Sequence, residues 1–200
     1  MDLSSYQGII FDMDGTLVDS MPAHIKAWQQ TCHDFGLVFD CDWFYSMGGS
    51  PTINTAIALL NRHGIDADPQ LLVVSKLRYF DEIKYKGDII PATFAVLKQQ
   101  KTMNKRIAIG TGCYRHHALE ILTTLEILPL LDAVVTANDV QHHKPLPDTF
   151  LEAARLLGIP PAQCVVFEDT ELGCQAAHAA SMDCYRVCNG VISEFRAFQR

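Results

Sequence analysis

The feature that most constrains this chain is a short apolar run that stops in a carboxylate-bearing loop. Gly8-Ile9-Ile10-Phe11 leads straight into Asp12-Met13-Asp14-Gly15-Thr16. A β-type run without polar alternation reads as a strand covered on both faces. Such a strand belongs to a parallel sheet, and each parallel neighbour needs a long crossover, usually a helix. The later sequence supplies both parts. Strands are expected at 106–110, 133–136, 164–168 and 184–187, with helices at 93–100, 116–125, 148–157 and 171–180. In the third of these helices Phe150, Ala153, Ala154 and Leu157 fall on one face.

The stretch from 19 to 86 breaks that alternation and reads as helical. Pro22 opens one helix that Gly36 closes, Ser50-Pro51 starts another that runs to Gly64, and 70–85 carries a third, with Leu72, Leu77 and Phe80 among its apolar positions. The expected fold class is therefore α/β: a doubly wound, Rossmann-like parallel sheet formed by 1–18 and 87–200, interrupted after its first strand by an α-helical insert, 19–86.

Composition removes several function classes. The 200 residues carry a formal charge of −7, which argues against a nucleic-acid partner because that needs a basic face. No apolar run approaches a membrane span. Met1-Asp2-Leu3-Ser4-Ser5 has neither a basic region nor a long apolar stretch, so no signal peptide is expected and a bacterial-type cytoplasmic enzyme fits. The seven cysteines form no C-x-x-C pair and are expected to be reduced, buried thiols. A monomer is the default expectation.

Ligands of doubly wound sheets bind beyond the carboxyl ends of the strands. Read there, the chain presents Asp12 and Asp14 after the first strand, Thr111-Gly112 after the second, Lys144-Pro145 beyond the third and Glu168-Asp169 at the end of the fourth. Each has a bland reading alone: an Asx turn, an ordinary strand-to-helix turn, a solvated lysine, acids favoured at a helix N-terminus. All of them in order on one sheet edge are not explained that way.

On these residues the chain resembles the haloacid dehalogenase-like hydrolase superfamily, the phosphohydrolases with an aspartate nucleophile. Asp12-Met13-Asp14-Gly15-Thr16-Leu17-Val18-Asp19-Ser20, Ile109-Gly110-Thr111-Gly112, Lys144-Pro145-Leu146-Pro147-Asp148 and Glu168-Asp169 correspond to its four motifs. An insert directly after the first motif is similar to the subgroup with an α-helical cap, and within it to bacterial fructose-1-phosphate/6-phosphogluconate phosphatases and β-phosphoglucomutases.

The chemistry is coherent in its own terms. A phosphomonoester dianion resists an anionic nucleophile unless cations cancel charge. Asp12, Glu168, Asp169 and the phosphate outweigh Lys144, so a divalent cation is required, and all-oxygen donors point to Mg²⁺. The resemblance implies Asp12 as nucleophile and metal ligand, and Asp14 as general acid and then base. In the family the aspartate at the Asp14 position reaches the metal through its backbone carbonyl. Thr111 and the Gly112 amide, with Met13, would hold the phosphoryl group, Lys144 would neutralise it, Asp169 would bind the metal, and Glu168 would lie in or just behind its coordination sphere.

In the insert, His24 sits where cap-type relatives often carry a histidine that engages the acid/base aspartate; a surface helix histidine is the alternative. Met47-Gly48-Gly49-Ser50-Pro51 resembles the cap loop that reads substrate, which makes Gly49 and Ser50 substrate-binding candidates. β-Phosphoglucomutases carry an arginine after the loop serine for a second phosphate. Pro51 stands there in this chain, which favours a monophosphate. Lys76 is a candidate for steering an anionic substrate, or else a solvated helix lysine. His116-His117 and His142-His143 lack a third metal ligand in the sequence and read as solvated polar pairs; Trp28 and Trp43 read as core. The expected activity is Mg²⁺-dependent hydrolysis of a small phosphorylated sugar, such as fructose 1-phosphate or 6-phosphogluconate, through an aspartyl-phosphate. A phosphomutase and a non-catalytic regulator that binds a phosphometabolite are the alternatives.

Overall fold

The strand that carries the first carboxylates is the pivot of the sheet. In the computed structural model, which describes residues 1–198, β1 (Gly8–Phe11) pairs in parallel with β2 (Arg106–Gly110) on one side and β4 (Cys164–Glu168) on the other. With β3 (Ala133–Val135), β5 (Asp183–Cys188) and β6 (Val191–Arg196), the order is β3-β2-β1-β4-β5-β6. The chain moves outward from β1 in both directions, so a crevice opens where β1 ends, and Asp12 is the next residue.

Side-chain alternation explains the two buried faces. Ile9, Phe11, Ile107, Ile109, Val165 and Phe167 face one way, under α5 (Pro91–Thr102) and α6 (Arg115–Thr124). Ile10, Ala108 and Val166 face the other way, under α7 (Asp148–Leu157) and α8 (Glu171–Ala179). A strand in which every residue is buried is the expected product of such a three-layer arrangement.

Between β1 and α5 lie α1 (Met21–Asp34), α2 (Cys41–Ser46), α3 (Thr52–His63) and α4 (Pro69–Glu82). They pack around a separate apolar cluster that includes Trp28, Phe44, Leu59, Leu60 and Leu72. The Asp68 carboxylate accepts a hydrogen bond from the Gln70 amide at the start of α4, and the Asp40 carboxylate does the same for Trp43 in α2. The connections to the sheet run side by side: the Asp19 amide donates to the Asp88 carbonyl at 2.8 Å, and the Ile90 amide donates to Leu17 at 2.9 Å.

Three features differ from the sequence expectation. α2, only six residues long, leaves too little periodicity to read. β6 is an added antiparallel strand, joined to β5 by Asn189-Gly190, both at positive φ; this dipeptide is the favoured two-residue hairpin turn, and the signal is visible in the sequence. Five cysteines are buried, but Cys41 and Cys188 are exposed. No described helix is long and apolar enough to cross a membrane.

Candidate active site

The loop after β1 is shaped by its own backbone. The Leu17 and Val18 amides both donate to the Met13 carbonyl at 2.9 Å, closing a tight turn that projects Asp12 and Asp14. Gly15, at φ +85°, is obligatory there: a Cβ would lie 2.3 Å from Asp169 Oδ2. The Met13 side chain is fully buried in the sheet core, so only its backbone faces the loop.

Asp12, Lys144, Glu168 and Asp169 converge at the sheet edge. Lys144 Nζ donates to Asp12 Oδ1 at 2.6 Å and to Glu168 Oε1 at 2.8 Å, and Lys144 is only 2% exposed, which removes the solvated-lysine reading. The other oxygen of Glu168 accepts from the Thr170 amide and hydroxyl, at 2.5 and 2.8 Å. Asp169 Oδ1 accepts from Thr16 Oγ1 at 2.8 Å. Carboxylate oxygens of Asp12, Glu168 and Asp169 lie within 4.8 Å of one another. Thr16 and Thr170 were not assigned roles from sequence, although a threonine opening a helix directly after Glu168-Asp169 is a readable N-cap signal.

One buried lysine serves two buried acids, Asp12 and Glu168, with the half-buried Asp169 beside them. Burial works against the Lys144 charge, but Asp12 and Glu168 outweigh it and hold the ammonium above the ordinary lysine range. Burial, with Glu168, Asp169 and Asp14 nearby, pushes the Asp12 carboxyl well above the usual carboxylate range despite Lys144. Burial and then Glu168 push Asp169 up to about 7, against Thr16 and Lys144. An all-oxygen cluster short of positive charge is suited to a hard divalent cation.

Asp14 faces elsewhere. Its Oδ1 accepts from Ser20 Oγ and lies 3.2 Å from His24 Nε2; its Oδ2 accepts from Thr111 Oγ1 at 3.3 Å. His24 Nδ1 lies 3.0 Å from Lys76 Nζ. An ammonium donates only, so Nδ1 accepts, Nε2 carries the proton, and a neutral His24 donates to Asp14. Burial works to raise the Asp14 carboxyl, but His24, Ser20 and Lys76 outweigh it and hold it below the usual range. Burial and Lys76 in turn lower His24. Phe80 supports the relay, its ring stacked on His24 at 4.3 Å and 4.4 Å from Lys76 Nζ. Lys76 is 2% exposed, so it is not a solvated helix lysine, and His24 is mostly buried as well. Ser20 and Phe80 had no sequence-assigned role.

The loop between α2 and α3 covers the site. A Cβ on Gly49 would lie 3.0 Å from Thr170 Oγ1 and 3.6 Å from Glu168 Oε1, while Gly112 sits against the Gly49 backbone. Gly49, Ser50, Thr111, Gly112, His24 and Lys76 all line one cavity with Asp12 and Asp14, of about 60 Å³. That holds a few waters, far less than the ~300–1,000 Å³ of a typical ligand pocket.

The remaining histidines divide. His142 is exposed and bonds Asp148 at 2.9 Å. The solvated reading fails for His117, which is 1% exposed and pairs with Asp81 of α4 at 2.5 Å. It fails because Phe80, one residue before Asp81, packs edge-on against the imidazole and excludes water.

Comparison with known proteins agrees with this geometry. The model of the haloacid dehalogenase-like hydrolase family matches residues 9–187. Fructose-1-phosphate phosphatase YqaB of Escherichia coli is 39% identical over 178 residues, covering 89% of this chain and 94% of that protein. Beta-phosphoglucomutase of Bacillus subtilis is 30% identical over 184 residues, covering 88% and 80%. The crystal structure of beta-phosphoglucomutase from Clostridium difficile superposes with a TM-score of 0.82 at 25% identity, covering 92% of this chain and 85% of that one.

Proposed function

Because the chain belongs to the haloacid dehalogenase-like hydrolase family, and is thus an enzyme of the phosphoric monoester hydrolase class, we propose that it is a Mg²⁺-dependent phosphatase acting on a small sugar monophosphate of the fructose 1-phosphate or 6-phosphogluconate type. Residues 19–86 form its cap. The observation that carries this reading is the division of labour between the two loop aspartates. Asp12 stands in the cation-poor carboxylate cluster, and Asp14 is turned out of it toward Ser20, His24 and Thr111.

The donor set fits a magnesium ion. Asp12 and Asp169 would hold it, with the Asp14 backbone carbonyl. Glu168 would stand behind them, since Lys144 and Thr170 already occupy both of its oxygens. Bound there, the ion supplies the charge neutralisation that lets a carboxylate approach a phosphate dianion.

The residues then act in sequence. Lys144, Thr111 and the Gly112 amide orient the phosphoryl group. An Asp12 oxygen attacks phosphorus and forms the aspartyl-phosphate, while Asp14 delivers its proton to the departing alkoxide. Without substrate Asp14 is held ionised by His24 and Ser20. An incoming dianion raises its proton affinity and prepares the acid form. After the alcohol leaves, the Asp14 carboxylate takes a proton from the water that attacks the aspartyl-phosphate. The contact of the Gly49–Ser50 loop with the core excludes bulk water, and the small cavity requires opening for substrate entry and product exit.

The cavity also favours hydrolysis over phosphomutase action. No arginine lines it among the described residues, and Lys76 is its one lysine. A second phosphate would find little compensation there. The test is phosphate release from about a hundred metabolites with Mg²⁺ and with EDTA. Mg²⁺-dependent release from hexose or sugar-acid monophosphates is expected. Release from none of them, or isomerised sugar phosphate in the phosphorus NMR spectrum, would overturn the reading.

A further inference from the structure

The seam between α4 and α6 holds a side-chain cluster that the proposed hydrolysis does not use. Asp81, at the end of α4, meets His116 and His117, at the start of α6. His117 Nε2 lies 2.5 Å and His116 Nε2 3.9 Å from the same oxygen, Asp81 Oδ1. The two imidazole rings are 3.7 Å apart, centre to centre. One ligating atom from each of the three residues falls within 4.8 Å of the other two.

We propose that Asp81, His116 and His117 form a binding site for a divalent transition metal, Zn²⁺ foremost, that bridges the helical insert and the sheet domain. Two imidazoles and one carboxylate are zinc-type donors, and three protein ligands leave a fourth corner for water. Tetrahedral zinc with bonds of about 2.0–2.1 Å needs ligand atoms about 3.3 Å apart. The two His–Asp81 distances straddle that value, and the two imidazole donors lie within 4.8 Å of each other, so modest side-chain adjustments bring the three ligand atoms to tetrahedral spacing. His117 is fixed by burial against Phe80. Asp81 and His116 are 57% and 64% exposed, giving the ion a path from solvent.

The site differs from the carboxylate cluster in chemistry and in consequence. Imidazole selects transition metals over magnesium. Its ligands come from α4 and α6, so occupancy ties the helical insert to the sheet domain. Asp81 also follows Phe80, whose ring stacks on His24 beside Asp14. A bound ion therefore holds the cavity closed and slows exchange of substrate and product.

The test uses the full chain saturated with Mg²⁺ and titrated with Zn²⁺, with Co²⁺ as the spectroscopic probe. The wild type should bind one equivalent. Co²⁺ should give the visible bands of a tetrahedral site without thiolate charge transfer. Losing an outer-shell partner already costs about 10–100-fold in metal affinity, so His116→Asn and Asp81→Asn should each lose at least that much. His116 is exposed and is not among the charges that act on Lys76, so His116→Asn should keep the wild-type melting temperature and Zn²⁺-free turnover, while Asp81→Asn is read by metal affinity alone. Zn²⁺ should lower kcat in the wild type and not in His116→Asn. That last arm rests on the phosphatase reading; the binding arm does not. No Zn²⁺ binding, unchanged affinity in both variants, or a thiolate-type cobalt spectrum would overturn the site.

Discussion

The backbone carbonyl of Gly49 lies so close over Gly112 that a Cβ on Gly112 would come within 2.6 Å of it. Neither partner can yield by rotating a side chain, because the obstacle is backbone. The two glycines thus let the loop of the helical insert settle onto the phosphate-binding turn. Gly112→Ala should fold normally, since the collision is with the insert rather than within the sheet, but it should prevent full closure. A displacement of about 1 Å at a reacting centre can cost 10²-fold. Steady-state kinetics should show kcat/KM falling by about that factor with the melting temperature little changed.

Asp12 carries the sharpest conflict between stability and chemistry. Burial and neighbouring acids raise its carboxyl well above the ordinary range, so the folded chain holds that proton more tightly than the unfolded chain. The sign follows: stability from this group is present at low pH and is lost as pH rises through the unfolded value toward the folded one. Asp12→Asn carries no such penalty. Turnover should fall by about 10³–10⁶-fold, while the melting temperature in EDTA at neutral pH should rise. Calorimetry of both proteins without Mg²⁺ checks this, and a lower melting temperature in the variant would contradict it.

Asp14 should separate from metal binding. Its carboxylate is engaged by Ser20, His24 and Thr111, outside the Asp12–Glu168–Asp169 cluster. Asp14→Asn keeps the shape and the backbone carbonyl but can neither give nor take the reaction's proton. Turnover should drop by about 10²–10⁴-fold, the usual scale of acid–base assistance. Mg²⁺ affinity by titration calorimetry should stay within about twofold of wild type. Unchanged turnover would remove the acid–base role.

The legible parts of this molecule are those dictated by short-range pattern. Gly8–Phe11 could be read as a buried strand because each residue meets a helix layer on one face or the other, and Asp12 could be placed at the sheet edge because it follows directly. What the sequence leaves dark is tertiary. Asp81 and His117 are 36 positions apart, and no periodicity relates them; Phe80 looks like any core phenylalanine until His24 is found on its face. Lys76 looks like a solvated lysine because it lies in an ordinary helix, and only the packing of α1 against α4 buries it. Asn189-Gly190 is different. Its hairpin signal lies in the sequence itself, and it adds an antiparallel strand, β6, at the edge of an otherwise parallel pattern.

Lys76 gives the clearest pH signature. Burial pulls its ammonium down to about 8, against Cys113, Asp14 and Asp81, which pull it up. The groups facing it are His24 from α1, Asp14 and Cys113 from the core loops, Asp81 from its own helix, and His117 from α6. Below pH 8 the cavity presents a cation to an anionic substrate; above it that charge is lost, although the neutral amine keeps N–H groups to donate to His24. KM should therefore rise as pH passes about 8, with kcat less affected. Lys76→Met should erase that limb and raise KM by about 10–100-fold at neutral pH, matching a charged hydrogen bond of about 1.5–3 kcal/mol. The stability sign is independent. The folded value lies below the unfolded one, so between about pH 8 and the ordinary lysine range the unfolded chain binds more protons, and the free energy of unfolding rises with pH. In urea denaturation at about pH 7 and pH 9.5, the wild type should gain stability relative to Lys76→Met at the higher pH, and equal slopes in the two proteins would show that the ammonium is not titrating there.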